Sequence, residues 1–373
     1  MVKIPEKIRG ALEKLINKMK EDENFSAISL FGSWSRGEGT SSSDVDLLIV
    51  DERDFQEEFV ERVETRGVLI DLNYIPKKWI LTQIPPEIDQ KIYEAYILYD
   101  RDWNFTNLKN WMMKVYRSPE RLNIRTESYM VDADIYLSRA ASAASRGDFQ
   151  SAQIYAEKAA EKIMMIPLDI CQFPISRSRF LKNMEKSLEK LQAPKIYAEY
   201  LALTGLYNIE REQAEKSLNC FKRAWDEISF SAKKTLASTE GIHFKIKSRL
   251  NYYLSPLFLQ GTILRARALI DAGENAEAIR YLREILLEIL ENYFWLKVKA
   301  EKTRGDPTTL MRTLLEITAE KPNKIHKETT KIFNIEDINE EKARKSIEKA
   351  KEIVLEIRNM RRAFIQQISN KFI

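Results

Sequence analysis

Residues Leu30–Val50 read LFGSWSRGEGTSSSDVDLLIV, and the fold of the N-terminal part follows from how that stretch is parsed. An apolar run, Ser26–Phe31, ends in a glycine–serine turn at Gly32 and Ser33. A small polar loop follows, and two aspartates, Asp44 and Asp46, open a second apolar run that continues to Val50. Side chains alternate faces along a strand, so carboxylates at i and i+2 point the same way. Like charges held that close repel, and a chain keeps them together mainly where a divalent cation sits between them. The glycine–serine turn offers backbone N–H groups and a hydroxyl one loop away, which suits phosphate oxygens.

Outward from this segment the pattern is α/β. Ile8, Leu12, Leu15, Ile16 and Met19 fall at helical spacing within residues 5–20. Phe55–Val63 reads as a short helix, Gly67–Tyr74 (GVLIDLNY) as a third strand, Glu87–Glu94 as a helix and Ala95–Asp100 as a last short strand. Pro76, Pro85 and Pro86 punctuate the stretch between. Within the third strand Asp71 stands alone among apolar neighbours, a costly position for a charge unless it is paired or metal-bound. The expected class is α+β: a small mixed-sheet domain over residues 1–105, then a large all-α region.

That region divides on expectation into helical domains at 106–235 and 236–373. SRGDFQSAQIYAEKA around Gly147 and DAGENAEAIRYLREI around Gly273 share a Gly-acidic-x-x-x-Ala-x-x-Tyr pattern, which leaves open that the second domain repeats the first. Two unrelated helical hairpins are the alternative. At the C-terminus Ile347, Ala350, Val354, Ile357, Phe364 and Ile368 form an apolar stripe interrupted by Arg361. The stripe packs on its own domain or, alternatively, forms a homodimer seam.

Composition narrows the function classes. Of 373 residues 44% are hydrophobic and 31% charged, with a mean hydropathy of −0.40, and no apolar run is long enough to span a bilayer. The N-terminal amphipathic pattern is too charged for a secretory signal, so a cytoplasmic location and no membrane partner are expected. Cys171 and Cys220, like His243 and His326, are isolated, which argues against zinc and against a structural disulfide. Residues 1–105 carry 21 acidic and 14 basic side chains, and the remainder 35 and 46. The helical part is thus basic, suited to an acidic acceptor or to phosphates, or simply well solvated. Arg117, Arg121, Arg177, Arg179 and Arg361 are candidate acceptor contacts.

A two-metal phosphoryl-transfer site needs shared metal carboxylates, a third carboxylate near the attacking hydroxyl, and donors for a triphosphate. Asp44 and Asp46 meet the first requirement. Asp71 meets the second if its strand lies beside theirs, and could then take the acceptor proton. Gly32 lets the backbone approach phosphates, Ser33 offers a hydroxyl and an N–H, and Arg36 can neutralise triphosphate charge. Ser42 and Ser43 can orient Asp44 or touch the nucleotide, and Trp34 can cover the loop. The catalytic and metal set is therefore Asp44, Asp46 and Asp71, and the nucleotide-binding set is Gly32, Ser33, Arg36 and Ser43.

Gly32-Ser33, Arg36-Gly37, Ser43-Asp44-Val45-Asp46-Leu47 and Asp71 together resemble the DNA polymerase β-type nucleotidyltransferase superfamily, in its minimal nucleotidyltransferase branch. The segment is also similar to the kanamycin nucleotidyltransferases, and the likeness covers roughly residues 25–105. It implies transfer of a nucleoside monophosphate from an NTP, ATP foremost, with pyrophosphate release and two Mg²⁺ ions that Mn²⁺ can replace. The acceptor is left open among RNA, a protein and a small molecule. Residues Ser128–Gln192 look more loosely like the HEPN-type helical domains that accompany such enzymes. The Arg-x₄₋₆-His motif of their ribonuclease members is missing, since neither histidine has an arginine five to seven positions upstream. A non-catalytic nucleotide- or RNA-binding protein, and an antitoxin-like regulator that nucleotidylates a partner, are the alternative readings.

Overall fold

A computed structural model of the chain describes residues 4–317 and 323–369. Five strands, β1 (Phe25–Phe31), β2 (Val45–Asp51), β3 (Phe59–Thr65), β4 (Val68–Pro76) and β5 (Tyr96–Asp100), form one sheet in the order β3-β4-β2-β1-β5. Only β2 and β4 pair in parallel; the other ladders are antiparallel, so the sheet is mixed as expected. Five helices accompany it: α1 (Glu6–Met19), α2 (Gly32–Ser35), α3 (Lys77–Leu81), α4 (Asp89–Glu94) and α5 (Asn104–Val115). The helices after them are α6 (Pro119–Ser145), α7 (Phe149–Ile163), α8 (Met165–Ile170), α9 (Phe180–Lys190), α10 (Pro194–Thr204) and α11 (Arg211–Ser238). They continue with α12 (Phe244–Tyr253), α13 (Pro256–Asp271), α14 (Asn275–Glu301), α15 (Leu310–Ile317), α16 (Lys324–Phe333) and α17 (Glu340–Ser369). The architecture is α+β.

The sheet is covered on both faces, which is why β2 (VDLLIVD) is apolar on both. Leu12, Ile16 and Met19 of α1 pack on Leu30, Leu47, Ile49, Ile70 and Leu72. On the other face Ile92 of α4 and Phe105, Leu108 and Met112 of α5 pack on Phe31, Leu48, Val50 and Ile75. Burying each such side chain contributes about 1.5–3 kcal/mol.

One element departs from expectation. Phe55–Val63, read as a helix, is not helical, and the chain extends from Phe59 into β3. The sequence FVERVET places Phe59 and Val63 against the α1 side of the sheet, and its β-branched and aromatic residues favour a half-buried strand over a short helix. Phe59 sits opposite Tyr74 with ring centroids 4.6 Å apart and planes at 14°. Arg66 and Gly67, with φ of 53° and 69°, make the two-residue turn into β4.

The chain divides into two compact units. The first is Met1–Arg121 with Lys247–Arg265, and the second is Leu122–Ile246 with Ala266–Ile373. The sheet unit therefore takes in residues from late in the chain, including most of α12 and the first part of α13.

In the helical unit the turns at Gly147 and Gly273 share one hydrogen-bond pattern. Gly147 and Asp148 donate to Ala144 and Ala143 at 3.0 and 2.9 Å, and Gly273 and Glu274 to Ile270 and Leu269 at 3.0 and 2.9 Å. Ala152 and Tyr155 after the first turn, and Ala278 and Tyr281 after the second, are buried. Ala350, Val354, Ile357 and Phe364 of α17 are buried too; the side chain of Ile368 lies outside the described residues. Glu157 of α7 is enclosed beside Gln153 (2.8 Å) and Arg283 (3.4 Å), and burial pushes its carboxyl up to about 7 against the pull of Arg283. Cys171 and Cys220 are buried, and neither is in a disulfide.

Candidate active site

The parallel register of β2 and β4 sets Asp46 directly beside Asp71. Strand alternation puts both on the face that carries Leu48, Val50 and Ile75 further along, beyond which α4 and α5 supply the cover. Asp44 lies one residue before β2, and Asp44 and Asp71 are only 9% and 5% exposed, so each needs a counter-charge.

Both find one in arginine. Arg62 of β3 stands opposite Asp71 in the β3–β4 ladder. Its Nε donates to Asp71 Oδ1 at 2.6 Å, and its Nη2 to Asp71 Oδ2 at 2.6 Å and to Asp44 Oδ2 at 2.7 Å. Arg265 of α13 brings Nη2 within 2.9 Å of the same Asp44 oxygen. The Tyr252 hydroxyl on α12 donates to Asp71 Oδ2 at 2.8 Å. The Phe258 ring lies 5.1 Å from the Arg62 guanidinium carbon. At Gly261 of α13 any Cβ would overlap the Arg62 guanidinium, so glycine is what permits this approach. Burial alone would lower the Arg62 pKa; its bonds to Asp71 and the charges of Asp71, Tyr252 and Asp44 more than reverse this and raise it.

Asp46 differs. It takes part in no ion pair among the described residues, and burial, followed by the charges of Asp71 and Asp44, pushes its carboxyl up to about 7 against Arg265 and Arg62. Gly32, at φ +75°, packs so tightly over it that a Cβ would lie 2.8 Å from Asp46 Oδ2.

Across the glycine–serine turn the charges reverse. Arg36 Nη1 reaches Glu94 at 2.5 Å and its Nε reaches Glu38 at 3.1 Å. Burial raises the Glu94 carboxyl, while Arg36, Gln90 and the Gly32 backbone N–H favour its charged form. An anionic group is therefore already seated between Gly32 and Arg36. Ser43 Oγ accepts from the Thr40 N–H at 3.0 Å, and Ser42 Oγ lies 3.1 Å from Thr40 Oγ1, so both serines brace the loop that delivers Asp44. Ser33 is half-buried and its carbonyl accepts from the Glu38 N–H at 2.8 Å. The buried Trp34 indole packs under Gly39 and donates toward the Ser43 carbonyl at 3.5 Å.

Three carboxylates suit a hard divalent cation. Their oxygens are not gathered around one point: among the described residues no three acidic, imidazole or thiol side chains stand ready to share an ion. Asp44 and Asp71 turn instead to the guanidiniums. The donor set fits such an ion in kind.

Of the expected site residues, Gly32, Asp44, Asp46 and Asp71 lie together, while Arg36 is held by glutamates. Arg62, Tyr252 and Arg265 escaped the sequence reading. Arg62 lay inside a segment read as helix, where Phe59, Val60 and Val63 fall at spacings that suit a helix as well as a strand. Tyr252 is 190 positions from Arg62, and nothing local announces the contact. The candidate acceptor arginines are engaged elsewhere: Arg121 with Asp89, Arg177 with Glu284 at 3.3 Å, and Arg361 with Thr126 at 2.7 Å. Arg117 stacks over Tyr93 at 5.8 Å. No helix among the described residues is long and apolar enough to cross a membrane.

The profile of the nucleotidyltransferase domain family matches residues 12–99. The fold search returns the crystal structure of a nucleotidyltransferase-like protein from Exiguobacterium sibiricum, at 12% identity and a TM-score of 0.33, covering 88% of this chain and 90% of that one. Among curated proteins none is significantly similar to the chain. The matched residues 12–99 carry Gly32, Asp44, Asp46 and Asp71 and are similar to a nucleotidyltransferase domain.

Proposed function

We propose that the protein transfers a nucleoside monophosphate from an NTP, with ATP the first candidate, to a hydroxyl acceptor, releasing pyrophosphate in a Mg²⁺-dependent reaction. The observation that carries this is the register of β2 and β4, which sets Asp46, packed under Gly32, beside Asp71, with Asp44 at the strand entrance.

Asp44, Asp46 and Asp71 would hold Mg²⁺, or Mn²⁺ in its place. The ion supplies charge neutralisation and Lewis acidity to the phosphates. Gly32, Ser33, Ser43 and Arg36 bind the triphosphate; the seat that Glu94 fills between Gly32 and Arg36 is one an anionic oxygen can take over. The acceptor oxygen bonds to the α-phosphorus as the bridge to the β-phosphate breaks, and Asp71 receives the acceptor proton. Positioning and charge neutralisation are all this chemistry asks of the protein, so RNA, protein and small-molecule hydroxyls remain equivalent acceptors at this level. The basic composition of residues 106–373 suits an acidic acceptor.

The whole chain, incubated with each α-labelled NTP and Mg²⁺ against RNA, cell lysate and itself, should pass label to one class of molecule. Asp44→Asn and Asp46→Asn should each abolish pyrophosphate release; retention of activity in both would refute the reading. The guanidiniums on Asp44 and Asp71 favour a second reading, nucleotide binding without turnover. Binding that persists in EDTA, with no label transferred to any acceptor, would establish it.

A further inference from the structure

Asp44, Asp46 and Asp71 bring three carboxyl groups to one end of the sheet, and Arg62 and Arg265 bring two positive charges. A divalent cation arriving alone meets Asp44 and Asp71 already engaged by guanidiniums. Resting on the metal-dependent reading above, we propose that Arg62 and Arg265 are resident counter-ions of the carboxylates, displaced by the divalent cation and taken over by the triphosphate that arrives with it.

Three features carry this. The guanidiniums occupy Asp44 and Asp71 and leave Asp46 without an ion-pair partner among the described residues, so the cluster is neutralised in part and can still attract a cation. The arginines cannot move far, because Arg62 belongs to β3 and Arg265 to α13; once lifted off the carboxylates they remain beside them. Charges left there without carboxylates are costly unless a new anion takes them, and a triphosphate is the anion this chemistry brings. Metal and nucleotide then bind as one, each weak without the other.

Arg265 is the more informative probe, since its side chain is 19% exposed against 3% for Arg62. Removing its charge should move two affinities in opposite directions, which a purely structural arginine would not do. In the whole chain, Mn²⁺ binding is followed by electron paramagnetic resonance for wild type, Arg265→Gln, Arg265→Lys and Asp46→Asn. Arg265→Gln should bind Mn²⁺ at least about tenfold more tightly, and α,β-methylene-ATP with saturating Mn²⁺ at least about tenfold more weakly, with Arg265→Lys close to wild type. Arg62→Gln should shift the same way, and if it does not fold, Arg265→Gln decides alone. Unchanged or weaker Mn²⁺ binding in Arg265→Gln overturns the proposal. If that unchanged binding still depends on Asp46, the metal site stands and only the counter-ion role falls. Absence of Mn²⁺ binding in every form overturns both.

Discussion

Gly32 meets two demands at once: a left-handed backbone at φ +75°, and an approach to Asp46 that leaves no room for a Cβ. Gly37, at φ +74°, meets only the first, since nothing lies within 4 Å of where its Cβ would be. Gly37→Ala should cost about 1–2 kcal/mol from backbone strain alone. Gly32→Ala should cost roughly a further 1–3 kcal/mol, because the carboxylate must shift. Urea denaturation of the two variants separates these contributions; equal losses would show that the Asp46 contact costs nothing. At this scale the site was legible. A carboxylate pair at i and i+2, and a lone charge inside an apolar strand, violate local rules strongly enough to announce themselves. Arg62 was not legible, because an arginine between valines and glutamates violates nothing.

Elements explain what single residues did not reveal. Once Phe59–Thr65 is a strand, the β3–β4 ladder places Arg62 opposite Asp71 without further adjustment. A helix there would have turned the guanidinium elsewhere, so one error of element type concealed a site residue. Arg62→Ala leaves Asp71 and Asp44 buried with less compensation and should cost about 3–5 kcal/mol, read from the urea midpoint. Gly261→Ala tests the approach of α13. Helix propensity alone would favour alanine there by roughly 0.5–1 kcal/mol, whereas overlap with Arg62 opposes it. Net destabilisation by about 1 kcal/mol or more is expected, and a stabilised variant would mean that the guanidinium yields freely.

At the scale of the molecule, the sheet unit and the helical unit rest on different chemistry. Inside the helical unit Glu157 is buried with its carboxyl raised from 4.5 to about 7. The protonated form is the one this fold favours. Its contribution is fully present below pH 4.5 and is lost as pH rises towards about 7, by about 3 kcal/mol at most. Glu157→Gln should remove that decline, so that stability at pH 8 falls less relative to pH 5 than in wild type. Superimposable pH profiles for the two proteins would show that Glu157 is not responsible. The α+β class followed from the change in periodicity near residue 105. The division into units did not, because the return of Lys247–Arg265 to the sheet depends on contacts that no local pattern encodes.

That return has a consequence for the order of assembly. Synthesis runs from the N-terminus, so the strands bearing Asp44, Asp46 and Asp71 emerge long before Tyr252, which lies 181 positions beyond Asp71. Closing so long a loop carries an entropic cost and slows the final docking. The nascent sheet therefore passes through a stage in which Arg62 is the carboxylates' arginine partner, until Tyr252 and Arg265 emerge.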